Sequence, residues 1–182
     1  LICSSACLAG EIPRFLLEGD EKGALERAQM YRDIFGAESF FLEIMPNQLP
    51  EQVAVNKMII EMARKNNFPL LATNDAHYLN SSDYDWHELL LCVGTKKVIT
   101  DPGRMSFRVN DFYFRSAQEM WGYFGSEAPD SLENTLRIAE RCHFDFALNT
   151  GDYLLPKFEI PEGMTLDTYL EKMARSGLKE RL

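Results

Sequence analysis

Short apolar runs alternate with longer amphipathic stretches in the first part of this chain. Three short runs, at 1–4, 40–44 and 70–73, end at Pro, Gly, Asn or Asp, and each predicts a β-strand. Between them, 20–35 and 50–66 carry apolar residues at helical spacing and predict helices. Alternating strands and helices are typical of βα units. The pattern therefore predicts an α/β fold with a mainly parallel sheet and helices outside it.

From position 80 onward the pattern changes to helices and loops. Ser116 and Glu119 have the spacing of a capping box, which predicts a helix that continues to Phe124. A Pro/Gly turn at 101–103 precedes a basic loop around Arg104 and Arg108, which we expect to be exposed. Further helices are predicted over 82–93, over 131–142 and from Leu166 onward.

The stretch 149–163 has two glycines, two prolines and few helix signals, so it predicts a connection between domains. We expect one domain over 1–148, and the connection with a further helix over 149–182. That helix carries Leu166, Leu170 and Met173 at helical spacing. We expect its apolar face to pack on a domain that lies mostly outside this sequence. The start, without an initiator Met, likewise suggests a piece of a longer protein.

Composition limits the classes of function. The 182 residues are 46% hydrophobic and 12% aromatic, which is a globular composition. The net charge of -9 would repel a phosphate backbone, so any contact with DNA must be local. Four cysteines form no CxxC pair, which favours reduced thiols and a cytoplasmic location. No run approaches the roughly 20 apolar residues that span a bilayer, so no membrane association is expected.

The best candidate for chemistry is Asp75-Ala76-His77, directly after the third predicted strand. Residues i and i+2 of extended backbone share a face, so Asp75 and His77 can bind one divalent ion such as Zn, Mn or Fe. Cys7, after the first predicted strand, would add a thiolate. The alternatives are an Asp that caps a turn, a His that bonds a backbone carbonyl, and a buried apolar Cys. Asp-x-His alone is a weak motif.

Other candidates are less informative. His87 lies within a predicted helix and His143 follows one, so we interpret both as structural. The aromatic and basic stretch 107–115 could stack on bases, but a packed edge strand or loop fits its pattern better. The sequence has no P-loop, GxGxxG, GxSxG or HExxH motif, which removes support for those enzyme classes.

Taken together and in order, several segments resemble one family, the bacterial DNA polymerase III alpha subunits. The resemblance is colinear and covers nearly the whole chain, so it is far more specific than any single motif. The segments that carry it are 6–13 (ACLAGEIP), 40–44 (FFLEI), 71–79 (LATNDAHYL), 87–92, 101–102, 112–116 (FYFRS), 133–135, 138–142 and 153–158 (YLLPKF).

The resemblance implies the later part of a PHP (polymerase and histidinol phosphatase) domain over 1–148. That domain is a distorted (β/α)7 barrel with a metal cluster at one end. Helical segments would lead into the polymerase palm, whose first helix falls in 149–182. Cys7, Asp75 and His77 match cluster ligands of the family, for Zn, Mn or Mg in the intact domain. The polymerase's own Mg site would lie outside this sequence, and no separate general base is identified.

The resemblance also implies a function for the full protein, namely template-directed DNA synthesis from dNTPs during replication. Partners would be DNA, the sliding clamp, the clamp loader and a proofreading exonuclease. The PHP domain would bind metal and act as a 3′→5′ exonuclease, while this chain alone would be inactive and bind metal weakly. One alternative is a silent PHP scaffold that braces the polymerase and docks the proofreading exonuclease. A stand-alone PHP phosphoesterase is disfavoured, because 112–182 resembles the polymerase.

Overall fold

The structure is a computed structural model, and it describes residues 1–146, 156 and 158–182. Within these residues the chain forms two compact units, Leu1–His143 and Phe144–Leu182. Most of the predicted connection at 149–163 lies outside the described residues, and the predicted domain boundary stays a prediction.

The first unit contains three strands and six α-helices, and the described part of the second contains one helix. A single turn of 3₁₀-helix, Ser81–Asp83, leads directly into the fourth helix. In chain order the elements are β1 (Cys3–Ser4), α1 (Glu11–Leu17), α2 (Glu21–Phe35), β2 (Phe40–Ile44), α3 (Pro50–Asn66), β3 (Leu70–Ala72), α4 (Tyr84–Thr95), α5 (Ala117–Phe124), α6 (Pro129–Arg141) and α7 (Leu166–Arg181).

The three strands form a parallel sheet in the order β1-β2-β3. Cys3 pairs with Phe40 and Leu42 pairs with Leu70, so the carboxyl ends of all three strands meet at one edge. This confirms the predicted α/β class with a parallel sheet. Within the described residues the sheet has these three strands, and the full barrel stays an implication of the resemblance.

The core lies between the sheet and its helices. All five residues of β2 are buried, as expected for the central strand of a covered parallel sheet. Ile59 of α3 is fully buried in the same cluster. Burying one such aliphatic side chain contributes about 1.5–3 kcal/mol, so this cluster supplies most of the drive to fold.

Local signals set the helix ends. Pro50 begins α3, where its missing N–H costs nothing, and Asp20 caps α2 by accepting from the Gly23 amide at 2.8 Å. Gly36 ends α2 with a φ of 93°, a conformation that suits glycine. The predicted capping box of Ser116 and Glu119 is confirmed at the start of α5.

Two predicted helices were misplaced by two residues, and one helix was missed. Helix α4 spans Tyr84–Thr95 instead of 82–93, because the first residues of the predicted range form a turn of 3₁₀-helix. Helix α6 begins at Pro129 instead of 131, because proline is favoured in a first helical turn. Helix α1 was missed because it has seven residues and contains Pro13. Pro13 is the third helical residue, where the backbone N–H still has no partner inside the helix, so it does not break the helix.

Helix α6 covers β3 through polar contacts as well as packing. Asn134 is buried and donates from Nδ2 to the Leu70 carbonyl oxygen at 2.7 Å. Arg64 of α3 forms a two-pronged ion pair with Asp130 of α6, with N–O distances of 2.9 and 2.5 Å. The Arg64 contacts lower the pKa of the Asp130 carboxyl below its usual range. These contacts fasten α6 across α3 and the sheet.

The segment after α4 folds back onto the residues that follow β3. The His77 amide donates to the Phe112 carbonyl at 2.7 Å, and the Phe114 amide donates to the Tyr78 carbonyl at 3.0 Å. Asn74 adds a side-chain bond from Nδ2 to the Tyr113 carbonyl at 2.7 Å. The stretch 107–115 is thus a packed, paired segment, as the sequence favoured.

The prediction of an exposed basic loop was wrong for Arg104. Its guanidinium reaches the buried Glu88 carboxylate of α4, at 2.5 Å from Nη1 to Oε2, and the Phe107 amide donates to the other oxygen at 3.1 Å. A buried carboxylate needs such partners, which outweighs the tendency of arginine to remain in water. Arg108 is exposed as predicted.

In the second unit, α7 begins at a capping box formed by Thr165 and Thr168. Its apolar residues Leu166, Leu170 and Met173 are all exposed. Among the described residues, none of the helices is long and apolar enough to cross a bilayer.

Candidate active site

Three side chains reach one cleft from the carboxyl ends of the three strands. Cys7, Asn47 and Asp75 each stand three residues beyond the last residue of β1, β2 and β3. All three line a cleft of about 170 Å³, together with Arg108 and Phe112 from the segment after α4. Parallel sheets place binding groups at this edge, so the cleft is the candidate active site.

Asp75 is partly buried at the cleft and has a φ of 51°, in the left-handed region. Burial raises the pKa of its carboxyl above the ordinary value, His77 opposes this, and the buried Glu43 carboxylate adds to the rise. A carboxyl group that is costly to ionise and faces a cleft gains from a nearby cation. This is the electrostatic setting of a metal ligand or of a partner for a positive group.

His77 lies next to Asp75 but belongs to an aromatic cluster. Its Nδ1 is 2.9 Å from the Asp75 carbonyl oxygen and 3.8 Å from Asp75 Oδ1. The ring meets Phe107 and Phe112 edge to face, with centroid distances of 4.6 and 5.5 Å. This contact between Nδ1 and a backbone carbonyl is the alternative to metal binding that the sequence left open for His77.

His87 is buried in α4 and joins the same cluster, 4.7 Å from the Phe107 ring and 5.9 Å from the His77 ring. Burial lowers its pKa, and His77 lowers it further, so the imidazole favours the neutral form. This environment agrees with the structural role predicted for His87. His143 is exposed at the end of the first unit.

The described residues do not assemble a complete metal centre. Within 1–146, 156 and 158–182, no group of three or more His, Cys, Asp or Glu side chains is arranged to hold an ion. Cys7 and Asp75 do share the cleft, and their sulfur and oxygen are suitable donors for a zinc-like ion. The chain thus offers two donors in one place and His77 beside them.

Glu43 is a buried carboxylate that sequence reasoning did not single out as part of the site. It is the fourth of the five residues of β2, accepts hydrogen bonds from the hydroxyls of Ser4 and Thr73, and its amide donates to Ser5 Oγ at 2.8 Å. These bonds connect the carboxyl ends of all three strands. The signal for it was a charge inside a run of apolar strand residues.

Glu88 positions the loop that contributes Phe107 and Arg108 to the cleft. Its carboxylate binds Arg104 and the Phe107 amide, and these fix the loop that carries Phe107 and Arg108. Burial raises the pKa of Glu88, but hydrogen bonds from Ser106, Arg104 and the Phe107 amide outweigh it and lower the pKa overall. Glu88 is therefore ionised at neutral pH and keeps the loop in place.

Comparisons with known proteins relate the chain to one group of proteins. A family model of the PHP domain matches residues 1–47, which include Cys7, Asn47 and the first two strands. The DNA polymerase III subunit alpha of Treponema pallidum is 38% identical over 182 residues, and that of Borreliella burgdorferi is 37% identical. The Thermus aquaticus subunit is 37% identical over 194 aligned residues. In each case the match covers all of this chain.

The chain is homologous to the DNA polymerase III alpha subunits. This confirms the resemblance inferred from the ordered segments. The chain spans 15–16% of the length of these curated relatives. The cleft thus belongs to a region that begins with a PHP domain match and is similar throughout to one part of the DNA polymerase III alpha subunits.

Proposed function

We propose that this chain serves as part of the alpha subunit of a replicative DNA polymerase. The full subunit would make DNA from dNTPs on a template in the cytoplasm, with a Mg site outside this chain, and would work with the sliding clamp, the clamp loader and a proofreading exonuclease. The observation that carries the proposal is the similarity at 37–38% identity over the whole chain. A stand-alone phosphoesterase has no comparable support, since the similarity continues through residue 182.

For the PHP region, over 1–148, we propose metal-dependent hydrolysis of phosphodiesters from the 3′ end of a DNA strand. Cys7 and Asp75 would bind the metal in the cleft, with His77 beside them and further donors from elsewhere in the subunit. The bound ions, Zn, Mn or Mg, would lower the pKa of a water and neutralise charge on the leaving oxygen. Support comes from the shared cleft and from the raised pKa of Asp75.

The test is Asp75→Asn in a full-length alpha subunit. We expect loss of metal-dependent digestion of single-stranded DNA and a lower content of bound transition metal, measured by elemental analysis. DNA synthesis should continue. Asp33→Asn, on the exposed surface of α2, is the matched control and should leave both readouts unchanged. Digestion at the wild-type rate by Asp75→Asn would refute the assignment.

A second candidate is a silent PHP scaffold that braces the polymerase and docks a proofreading exonuclease. Its support is that the described residues hold no group of three or more donors arranged for an ion. Metal analysis of the wild-type full-length subunit separates the two proposals. Two or three bound transition-metal ions favour the nuclease, and their absence favours the scaffold.

A further inference from the structure

We propose that Arg108 and Asn47 form a subsite for the terminal nucleotide of a DNA strand, in which Arg108 binds its phosphate and Asn47 binds its 3′-hydroxyl. The inference rests on the proposed function, which makes DNA the substrate, and it names residues that neither the family match nor the sequence motifs assign. Both residues line the cleft with Cys7 and Asp75.

Arg108 can exchange its present partner for a phosphate. Among the described residues that line the cleft, Arg108 and Asp75 carry charge, and Arg108 supplies the positive charge. Its guanidinium is paired with Glu51, at 3.2 Å from Nη2 to Oε1, but the two side chains are 61% and 42% exposed. Such exposed pairs contribute little and are easily exchanged. A phosphate is the better partner, because its oxygens match the planar donor fork of arginine.

The backbone conformation at Arg108 also supports a role of this residue in binding a ligand. Its φ of 64° lies in the left-handed region, which L side chains other than Asn and Asp rarely adopt. Asp75, which also lines the cleft, has a φ of 51°. The Ser106 hydroxyl accepts from the Arg108 amide at 3.2 Å, and Glu88 holds the preceding residue. The chain thus keeps an uncommon conformation at the two charged residues of the cleft lining.

Asn47 is the second and independent observation. It is 2% exposed, it lines the cleft, and its Oδ1 has no hydrogen-bond partner within the described parts of the chain. Buried carboxamide oxygens are nearly always satisfied, and this one is closed to solvent and unpaired, so rotation of the carboxamide toward a donor in the cleft would be favourable. The loop that carries Asn47 is itself fixed, because Asn56 Nδ2 donates to the Met45 carbonyl at 2.7 Å and the Gln48 amide donates to Asp111 at 3.0 Å.

A ligand that satisfies both residues has an anionic oxygen and a hydroxyl that can donate to the carboxamide. The last nucleotide of a DNA strand has both, in its 5′-side phosphodiester and its 3′-hydroxyl. A cleft of about 170 Å³ is smaller than the roughly 300–1,000 Å³ of sites that enclose whole small ligands. It therefore suits the sugar-phosphate part of the nucleotide, while the base remains outside.

The test uses the dinucleotide TpT, which is too short to occupy the polymerase site firmly, and TpT that lacks the terminal 3′-hydroxyl. Binding to the full-length subunit is measured by calorimetry in EDTA, so that hydrolysis plays no part. Arg108→Gln should weaken the binding of both ligands about tenfold, as for loss of a charged hydrogen bond. Wild type should prefer TpT over the 3′-deoxy ligand about fivefold, and Asn47→Ala should abolish that preference.

Glu51→Gln separates substrate binding from a merely structural ion pair. If Glu51 competes with the phosphate for Arg108, this variant should bind TpT more tightly, opposite in sign to Arg108→Gln. Arg27→Gln, which breaks a comparable exposed pair with Glu11 at 3.4 Å, should change nothing. Equal binding by Arg108→Gln and wild type, or shifts of the same sign for Glu51→Gln and Arg108→Gln, would overturn the role of Arg108.

The 3′-deoxy ligand tests Asn47 on wild-type protein, so the result does not depend on whether Asn47→Ala folds. Equal affinity for the two ligands would overturn the role of Asn47. The proposed nuclease is tested separately. If Asp75→Asn digests DNA normally while the TpT results hold, the nuclease fails and the subsite stands. If Asp75→Asn is inactive while the Arg108 and Asn47 variants bind TpT as wild type does, the subsite proposal is wrong and the nuclease proposal is supported.

Discussion

At the scale of single residues, Asp75 carries two costs in the folded chain. Its backbone adopts a left-handed conformation, and its partly buried carboxyl has a raised pKa. Aspartate and asparagine tolerate the left-handed region better than other L residues, which limits the first cost. The second cost arises only when the carboxyl is ionised. Both are consistent with a residue kept for chemistry instead of stability.

The raised pKa leads to a prediction about stability. In the metal-free chain, Asp75→Asn should unfold at the same or a higher temperature than wild type at pH 7, because it removes a charge that burial penalises. For an acid whose pKa is raised on folding, the penalty is absent below the unfolded-state pKa and grows as pH rises through the folded-state value. The advantage of the variant should therefore vanish in acid. Calorimetric unfolding at pH 3, 5 and 7 checks this, and an advantage of the same size at every pH would contradict it.

Asn47 shows what residue-level reasoning from the sequence could not reach. A carboxamide has no pKa to perturb and belongs to no motif, so nothing at Asn47 itself signals a role. Cys7 and Asp75 were identified because thiolates and carboxylates are common metal ligands. The signal for Asn47 was positional, since all three residues stand at the same distance beyond their strands. That regularity can be recognised only when the strand ends are known to the residue.

At the scale of elements, strong local signals explain which predictions succeeded. Strand β2 and helix α3 were predicted with their observed bounds, because the strand is an apolar run interrupted by Glu43 alone and Pro50 fixes the helix start. The first strand was predicted as 1–4, but only Cys3–Ser4 pairs with β2. The ion pair of Glu88 with Arg104 was not predicted, since the two residues are 16 positions apart and their contact depends on tertiary packing.

The turn between β1 and α1 places Cys7 and depends on Gly10. A Cβ added at Gly10 would lie 2.4 Å from the Ser5 carbonyl oxygen and 3.1 Å from that of Cys7. Gly10→Ala must therefore shift the backbone that presents Cys7, and we expect it to destabilise the fold by about 1–3 kcal/mol. Urea unfolding gives the free energy, and the rate of Cys7 alkylation by a thiol reagent should change.

Gly94→Ala is the matched control for this substitution. Gly94 lies in α4, and a Cβ there would meet nothing within 4 Å. Since alanine favours helices more than glycine, the control should be neutral or stabilise the chain by up to about 1 kcal/mol. If both variants were equally stable, the close approach at Gly10 would not be a constraint on the Cys7 turn.

At the scale of the whole molecule, the net charge could be predicted from the sequence, whereas the membership of the hydrophobic core could not. The net charge of -9 follows from composition alone, and it makes a local cation such as Arg108 matter more for any contact with a phosphate. The buried cluster depends on how helices and strands pack, with members from α1, α2, α3, α5 and α6 and from β2 and β3. The sequence predicted most of the elements, but the contacts between α6 and β3 required the structure, because residues 64 positions apart form them.

This division of the chain into a packed first unit and an exposed last helix predicts how unfolding responds to truncated side chains. Ile59 is fully buried in the core, so Ile59→Ala should lower the free energy of unfolding of the first unit by about 2–5 kcal/mol. Leu170 of α7 is 68% exposed, so Leu170→Ala should change it by less than about 0.5 kcal/mol. Urea unfolding followed by tryptophan fluorescence reports on the first unit, because Trp86 and Trp121 both lie in it. Equal shifts for the two variants would mean that α7 contributes to the stability of the first unit as strongly as its core does.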